Sequence, residues 1–332
     1  MIPDFYTPSP AWPEQIERTA EMLGRISAIE ELVGRAPELR RANRINSVHS
    51  STAIEGNELS RAQVEGLANG EPVFAPPRAV KEVENALAAY ESLELLDPWS
   101  VDDFLRAHEL LTAGLVAEAG EFRSVDVEIV NADGDVLHTG SRVEKVPRLI
   151  GELLEWGRAS ADHPLVVSSA THFLIEHIHP FRDGNGRIGR LWQTLILSRW
   201  RPIFAWMPTE TLIRSHQDGY YAALQASREP ESDAAAFIDY MLRIVTATLE
   251  MYEERAASAT GRVGESVGDS VGVEAAIIAL LRADPTLSAA ALSDRVGTTS
   301  RTVERHLARL KARGLLRREG SPRAGRWVVI GG

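Results

Sequence analysis

The chain has no cysteine, which excludes disulfides and thiolate metal sites. It has no run approaching the ~20 apolar residues of a membrane-spanning helix. The longest apolar stretches, such as Leu191–Leu197, are short and interrupted. The His-Glu-x-x-His spacing of zinc hydrolases is missing. Met1–Pro13 carries four prolines and no apolar run, unlike a secretory signal. These absences point to a protein without membrane contact, with the cytoplasm as its default location. What remains is ordinary globular composition: 332 residues, 44% hydrophobic and 25% charged, enough for two or three domains.

A net charge of −11 argues against a nucleic-acid binder acting with its whole surface. The charge is unevenly spread, however. From Val273 onward eleven Arg and Lys face five Asp and Glu, so these 60 residues carry +6 and the rest carries −17. A basic tail on an acidic body implies different partners for the two parts.

Apolar spacing reads as helical over most of the chain up to Leu96, with a new helix expected at Pro37 and ended by Gly56-Asn57. Val101–Ala119 follows as a helix. Phe122–Ile129 then alternates, with Val125, Val127 and Ile129 on one face, and Val136-Leu137 comes after a turn at Asn131–Gly134. That is a β-hairpin too small to be a sheet core, hence a flap. Helices are expected again over Val146–Ala159, Pro164–His177, Arg187–Trp200, Thr211–Ala226 and Ala234–Glu254. Ala256–Gly272, rich in Gly, Ser and Val, reads as a flexible linker.

The chemistry is concentrated in His179-Pro180-Phe181-Arg182-Asp183-Gly184-Asn185-Gly186-Arg187 and the start of the helix after it. Pro180 cannot continue the preceding helix. A Gly-rich loop opening a helix aims backbone N–H groups and a positive dipole end at one point, which suits a phosphate. Asp183 is a hard-cation ligand suited to Mg²⁺ with phosphate oxygens. Arg187 and Arg190, three apart, share a helix face and can grip successive phosphates. His179 is the loop residue that can take a proton near neutral pH. Base, metal, anion cradle and clamps together describe phosphoryl-type transfer.

The stretch resembles the signature of the Fic family, His-Pro-Phe-x-(Asp/Glu)-Gly-Asn-Gly-Arg-x-x-Arg, and matches all nine fixed positions from His179 to Arg190. The resemblance extends to the hairpin region with Phe122-Arg123 and to Tyr220–Leu224. It implies a protein adenylyltransferase that moves AMP from ATP, with Mg²⁺, to a Ser, Thr or Tyr hydroxyl of a target protein or of itself. In that reading His179 is the base, Phe181 the apolar anchor of the loop and Asp183 the Mg²⁺ ligand. Gly184, Asn185 and Gly186 cradle the α- and β-phosphates, Arg187 meets the β-phosphate and Arg190 the γ-phosphate. Glycine at 186, where a phosphate-transferring branch has lysine, favours AMP. Tyr220 and Tyr221 stand as either nucleotide-pocket or core residues. UTP or CDP-choline remains an alternative donor, because the loop fixes phosphates and not the base.

Ser51-Thr52-Ala53-Ile54-Glu55-Gly56-Asn57 resembles the family's inhibitory motif, (Ser/Thr)-x-x-x-Glu-(Gly/Asn), through Ser51, Glu55 and Gly56. A Glu55 carboxylate on Arg190 would take the guanidinium meant for the γ-phosphate and spoil the pose that in-line attack requires. Autoinhibition in cis is the expectation. In some family members the same glutamate supports removal of AMP, so a reverse activity is implied as well.

The basic tail resembles a winged helix-turn-helix: helices at Val273–Arg282, Ser288–Val296 and Arg301–Arg313, a turn at Gly297–Thr299, a cap at Ser300, and wing strands at Leu315–Arg318 and Arg326–Ile330. Val303, Leu307 and Leu310 would face inward, and Arg301, Arg305 and Arg309 outward toward DNA. A protein-binding winged helix is the competing reading, and so is a DNA-binding regulator whose Fic core senses nucleotide. A homodimer fits both kinds of relative. The expected architecture is mostly α: an N-terminal helical arm with the inhibitory helix (1–98), a helical Fic core with a hairpin flap (99–255), a linker (256–272) and a winged helix (273–332).

Overall fold

The computed structural model describes residues 5–33, 37–130, 136–228, 233–296, 299–312, 315–319 and 326–329. The chain separates into two compact units, Met1–Glu254 and Arg255–Gly332.

The first unit is helical apart from one hairpin. Its elements are α1 (Trp12–Val33), α2 (Pro37–Ile54), α3 (Arg61–Ala68), α4 (Pro77–Glu91), α5 (Val101–Thr112), β1 (Glu128–Val130), β2 (Val136–Thr139), α6 (Val146–Ala159), α7 (Pro164–Ile178), α8 (Asn185–Trp200), α9 (Thr209–Ser215), α10 (Gln217–Ala226) and, up to Glu254, the first part of α11 (Ala235–Ala283), whose remainder belongs to the second unit. Helix starts follow local chemistry. Proline occupies the first turn of α4, α6 and α7, where its missing N–H costs nothing. Ser60 and Gln63 form a reciprocal capping box on α3. Ser100 caps α5 through the Asp103 N–H at 3.2 Å.

α7 and α8 are the centre of this unit. α7 is uncharged from Pro164 to Leu174 and buried from Leu165 to Glu176, as expected of a helix apolar on every side. α8 buries Ile188, Leu191, Trp192 and Leu195 against it. The loop between these two most deeply buried helices is thereby fixed at both ends. α2, with Ile45 and Val48 buried, packs on α9 and α4 and brings its C-terminus to the start of α8.

Several expectations need correction. The helix expected over Val101–Ala119 stops at Thr112. Gly114 (φ +74°) and Gly120 (φ +79°) turn the chain back, and the Gly120 N–H donates to His108. The helix expected over Thr211–Ala226 is two, broken at His216 (φ −125°, ψ 39°), whose ring and the Ser215 hydroxyl engage the Leu212 carbonyl. The flap is shorter than the alternation suggested. β1 and β2 pair antiparallel, Glu128 opposite Thr139 and Ile129 opposite His138. Val125 lies outside the strand and is exposed; the expected turn at Asn131–Gly134 lies outside the described residues. Residues 256–272, expected as a linker, run as helix within α11. The segment has no proline, and its Val263, Val267, Val271 and Gly264, Gly268, Gly272 recur every four residues, a helical period that Gly-rich composition hid.

The second unit is a winged helix. α12 (Ala289–Val296), α13 (Ser300–Ala312) and the antiparallel pair β3 (Leu316–Glu319) and β4 (Arg326–Val329) surround a core of Ile277, Leu281, Leu292, Val303, Leu307, Leu310, Leu316 and Trp327. Val303, Leu307 and Leu310 face inward as expected, and Arg301 and Arg305 are exposed. The Arg309 side chain and the turn at Gly297-Thr298 lie outside the described residues. The cap of α13 is Thr299 rather than Ser300: Thr299 Oγ1 accepts the Thr302 N–H at 3.3 Å, while Ser300 Oγ lies 3.1 Å from Ser293 Oγ.

Candidate active site

α7 ends at His179, whose backbone takes the left-handed conformation (φ 54°, ψ 63°), alone in this among the described non-glycine residues. Such a conformation costs on the order of 1 kcal/mol and needs support from its surroundings. Arg123 supplies it. Its buried guanidinium donates from Nε to the His179 carbonyl at 2.8 Å, from Nη1 to the Val125 carbonyl at 2.6 Å, and from Nη2 to the Ser141 carbonyl. The Arg123 N–H donates to the Pro180 carbonyl at 3.0 Å. One side chain thus ties the start of the loop to both flanks of the hairpin. The fit is tight at Gly140, where a Cβ would come 3.2 Å from Arg123 Nη2 and 3.3 Å from His179 Cβ. Burial lowers the His179 pKa to about 4, outweighing a hydrogen bond to the Glu176 backbone that raises it. The ring is therefore neutral at physiological pH, the form that can accept a proton.

Phe181 is fully buried and stacks on His108, with centroids 3.6 Å apart and ring planes 2° from parallel. The Gly120 N–H donates to His108 Nδ1, so the proton is on Nε2, which donates to the Asp183 carbonyl at 3.0 Å. Burial lowers the His108 pKa to about 4 and keeps that tautomer neutral. Asn185 closes the loop on itself: Oδ1 accepts the Phe181 N–H and Nδ2 donates to the Phe181 carbonyl, both at 2.9 Å. The side chain is thereby held in place, with one Nδ2 N–H engaged by the Phe181 carbonyl. Gly184 (φ +85°) makes the turn into α8, and a Cβ there would press on Thr112 at 3.0 Å.

The two arginines of α8 have different surroundings. Arg187 Nη2 lies 3.1 Å from Asp183 Oδ1, and its Nε is buried with no partner. Arg190 is enclosed. Nε donates to Ser51 Oγ at 3.1 Å, and Nη2 donates to the Ser51 carbonyl at 3.1 Å and to Glu55 Oε1 at 2.7 Å. Burial opposes its charge, but the Glu55 and Glu176 carboxylates outweigh that and hold its pKa above the ordinary value. Gly56 (φ +89°) turns the chain away immediately after Glu55. A Cβ on Gly186 would clash with Glu55 Oε1 and come 3.0 Å from Arg190 Nη1. Glu55 thus places an anionic oxygen over the first turn of α8, the position that helix polarity makes favourable for a phosphate.

Asp183 is about 41% exposed, and its Oδ1 accepts the Gly184 N–H at 2.6 Å. Its Oδ2 lies 3.7 Å from Arg78 Nη2. A single accessible carboxylate at the edge of an anion cradle fits Mg²⁺, which takes one or two carboxylates and completes its shell with phosphate oxygens and water. No group of three or more His, Asp or Glu among the described residues could hold a metal ion by itself. A zinc set of His172, Glu176 and His179 is not assembled, since His172 Nδ1 faces Gln193 Oε1 at 2.7 Å and Nε2 faces Tyr220 Oη at 3.1 Å.

Tyr220 belongs to the core, not to an open pocket wall: it is buried, and its hydroxyl donates to Glu176 Oε1 at 3.2 Å. Burial, reinforced by the neighbouring Glu55, raises the Glu176 pKa. Tyr221 is the exposed member of the pair. Gln217 Nε2 donates to its hydroxyl at 3.5 Å and to the Ile54 carbonyl at 3.2 Å, beside Glu55. A cavity of about 870 Å³ lies between α9, α10 and α11, and no residue of the His179–Arg190 loop lines it. Sequence reasoning overlooked Arg78 altogether and gave Arg123 no role in holding the loop. The one signal for Arg78 was a cation in a helix's first turn, where the dipole disfavours it.

Comparison with known proteins gives the family and the fold. A family model described as Fic/DOC family matches residues 98–197, and one described as winged helix-turn-helix DNA-binding matches residues 274–317. The crystal structure of a Fic family protein from Desulfovibrio desulfuricans G20 is 35% identical, with a TM-score of 0.74 over all of this chain and 99% of that one. Fic-1 (residues 134–508) from C. elegans shares the fold at 23% identity and a TM-score of 0.58, over 74% of this chain and 75% of that one. Protein adenylyltransferase Fic from Culex quinquefasciatus is 26% identical over 255 residues, 72% of this chain and 47% of its own length. The Aedes aegypti protein of the same name is 25% identical over the same shares. The chain spans about half the length of the curated relatives it matches.

Proposed function

The chain belongs to the Fic/DOC family, and from that premise we propose that it is an autoinhibited protein adenylyltransferase, moving AMP from ATP to a Ser, Thr or Tyr hydroxyl of a protein. The target oxygen attacks the α-phosphorus as the bond to the bridging oxygen breaks. His179 takes the hydroxyl proton and pyrophosphate leaves. Arg123 aims His179, while the N–H groups at the start of α8, with Arg187 and Arg190, hold the triphosphate in line. Mg²⁺ on Asp183 would offset phosphate charge. The exposed apolar residues of the flap, Val125, Val136 and Leu137, suit a target segment lying against the hairpin.

The observation that carries the reading is the Glu55 carboxylate seated on Arg190 above Gly186, an anion where the triphosphate must lie. AMP incorporation from α-labelled ATP with Mg²⁺ tests it in wild type, Glu55→Gly and Glu55→Gly/His179→Ala. Label on the Glu55 variant that disappears with His179→Ala supports base and inhibitor together. No label on any of the three, with or without lysate, sinks the ATP reading, and UTP and CDP-choline are then the donors to try. Release of AMP from pre-labelled protein by the wild type, but not by the Glu55 variant, would establish the reverse activity.

The basic tail supports a second reading, DNA binding by the winged helix. Arg301 and Arg305 are exposed on α13 opposite its buried Val303, Leu307 and Leu310. Duplex DNA titrated with the full chain should bind with strong salt dependence and lose affinity in Arg301→Ala/Arg305→Ala. Binding indifferent to salt and to these substitutions would favour a protein partner instead.

A further inference from the structure

Arg78 stands in the first turn of α4, which holds no acidic residue to offset it. A cation is disfavoured at that end of a helix, so its position calls for another reason. Its Nη2 lies 3.7 Å from Asp183 Oδ2. Arg187 faces the other oxygen of that carboxylate at 3.1 Å. Arg78 is also oriented from behind: its Nε lies 3.4 Å from Glu82 Oε1. Glu82 Oε2 in turn accepts from Asn57 Nδ2 at 2.9 Å, and Asn57 Nδ2 also donates to the Ala79 carbonyl at 2.9 Å. Asn57 is two residues beyond Glu55. The segment that closes Arg190 therefore continues through Asn57, Glu82 and Arg78 to Asp183 at the opposite edge of the nucleotide loop.

We propose that Arg78 is the resident counter-cation of Asp183, a guanidinium that holds the metal carboxylate until a divalent cation arriving with the nucleotide displaces it. The proposal rests on the reading of Asp183 as the metal ligand. A guanidinium and a divalent cation compete for the negative charge of the same carboxylate, and the two cations repel each other beside it, so a metal on Asp183 weakens the hold of Arg78 and the reverse. Arg78 is about 62% exposed, so it has solvent to move into and competes with the metal without excluding it. Its effect falls on the metal requirement, while the contacts to phosphate stay with the loop, Arg187 and Arg190.

The test is calorimetric titration of ATP into the full chain carrying Glu55→Gly, over a series of Mg²⁺ concentrations and in EDTA, comparing Arg78, Arg78→Gln and Arg78→Lys. Arg78→Gln should lower the Mg²⁺ concentration giving half of the full gain in ATP affinity by roughly two- to fivefold, the range an exposed ion pair supports. Arg78→Lys, which keeps the charge, should retain the original requirement. ATP affinity in EDTA should be the same for all three. An unchanged Mg²⁺ requirement in Arg78→Gln would overturn the proposal. So would a loss of EDTA-measured affinity in that variant, which would make Arg78 a phosphate ligand. ATP that fails to bind at any Mg²⁺ concentration would sink the nucleotide reading itself, a result distinct from ATP that binds with its metal requirement unmoved.

Discussion

The two ends of the anion cradle are held by ion pairs of opposite character. Arg190 is enclosed: its side chain is 1% exposed, and Glu55 and Ser51 take its hydrogen bonds at 2.7–3.1 Å. Asp183 is 41% exposed; one oxygen pairs with the buried Arg187 at 3.1 Å, while the other meets Arg78 at 3.7 Å, through a guanidinium largely in solvent. A buried charge cannot lose its partner without replacement, and breaking such a pair costs about 3–5 kcal/mol when burial is complete. An exposed pair is worth about 0–1 kcal/mol. Under the proposed function the Arg190 end is a lock, opened by moving a segment or by substituting an anion for Glu55. The Asp183 end is built for exchange. A triphosphate with its metal would satisfy both ends at once, giving Arg190 a new anion and Asp183 a new cation.

The largest effect that could break this comparison is on chemistry. In the Glu55→Gly background His179→Ala should lower AMP transfer by about 10²–10⁴-fold, the usual contribution of a positioned base. Retained transfer would remove the reason for the cradle to be aimed where it is. Next is the lock itself. Glu55→Gly should raise transfer on the order of tenfold or more, while lowering stability by about 1–3 kcal/mol in urea, less than a fully buried pair because Glu55 is about one-third exposed. A rise in activity without a loss of stability would mean that Glu55 blocks the site without bracing Arg190.

A third prediction concerns acid. Burial lowers the pKa of His108, His172, His177 and His179 from 6.5 to about 4, 3, 4 and 4. The unfolded chain binds protons at these positions near pH 6.5 and the folded one does not. The stability they contribute is therefore full above pH 6.5 and is lost as pH falls toward 4. The urea midpoint of the Glu55→Gly variant should fall steadily from pH 7 to pH 5, and its far-UV signal at pH 7 should match that of the wild type. A flat midpoint over that range would show that these rings are more hydrated than their packing implies.

What the sequence made legible follows the range of each interaction. The loop was readable because twelve consecutive residues, His179 to Arg190, hold every residue to which the proposed base, metal ligand and cradle are assigned, and Pro180 and Gly184 fix the backbone locally. Glu55 was readable through a short motif, although its contact with Arg190 spans 135 residues. Arg123 on the His179 carbonyl and Arg78 on Asp183 have no such local pattern; only the packing of the hairpin and α4 brings them in. Tyr220 illustrates an ambiguity that sequence leaves open, since the same residue type lines pockets and cores and only its burial against Glu176 and His172 places it in the core. At 256–272 glycine content hid a four-residue period that the helix obeys.

The smallest predicted effect separates the two ends most cleanly, because it is measured without nucleotide. Arg78→Gln should change stability in urea by no more than about 0.5 kcal/mol, as expected for an exposed residue whose pairs are solvent-screened. Glu55→Gln, a substitution of similar size at the other end, should cost about 1–3 kcal/mol, because it removes the carboxylate hydrogen-bonded to the enclosed Arg190. Glu82 stays pinned by Asn57 in Arg78→Gln, and Arg187 still faces Asp183, so no buried group is orphaned. A cost above about 1 kcal/mol for Arg78→Gln would show that its pair with Asp183 braces the fold. The contrast between a sealed end and an exchangeable one would then fail, since displacing Arg78 would carry a structural penalty that a metal arriving with nucleotide would have to overcome.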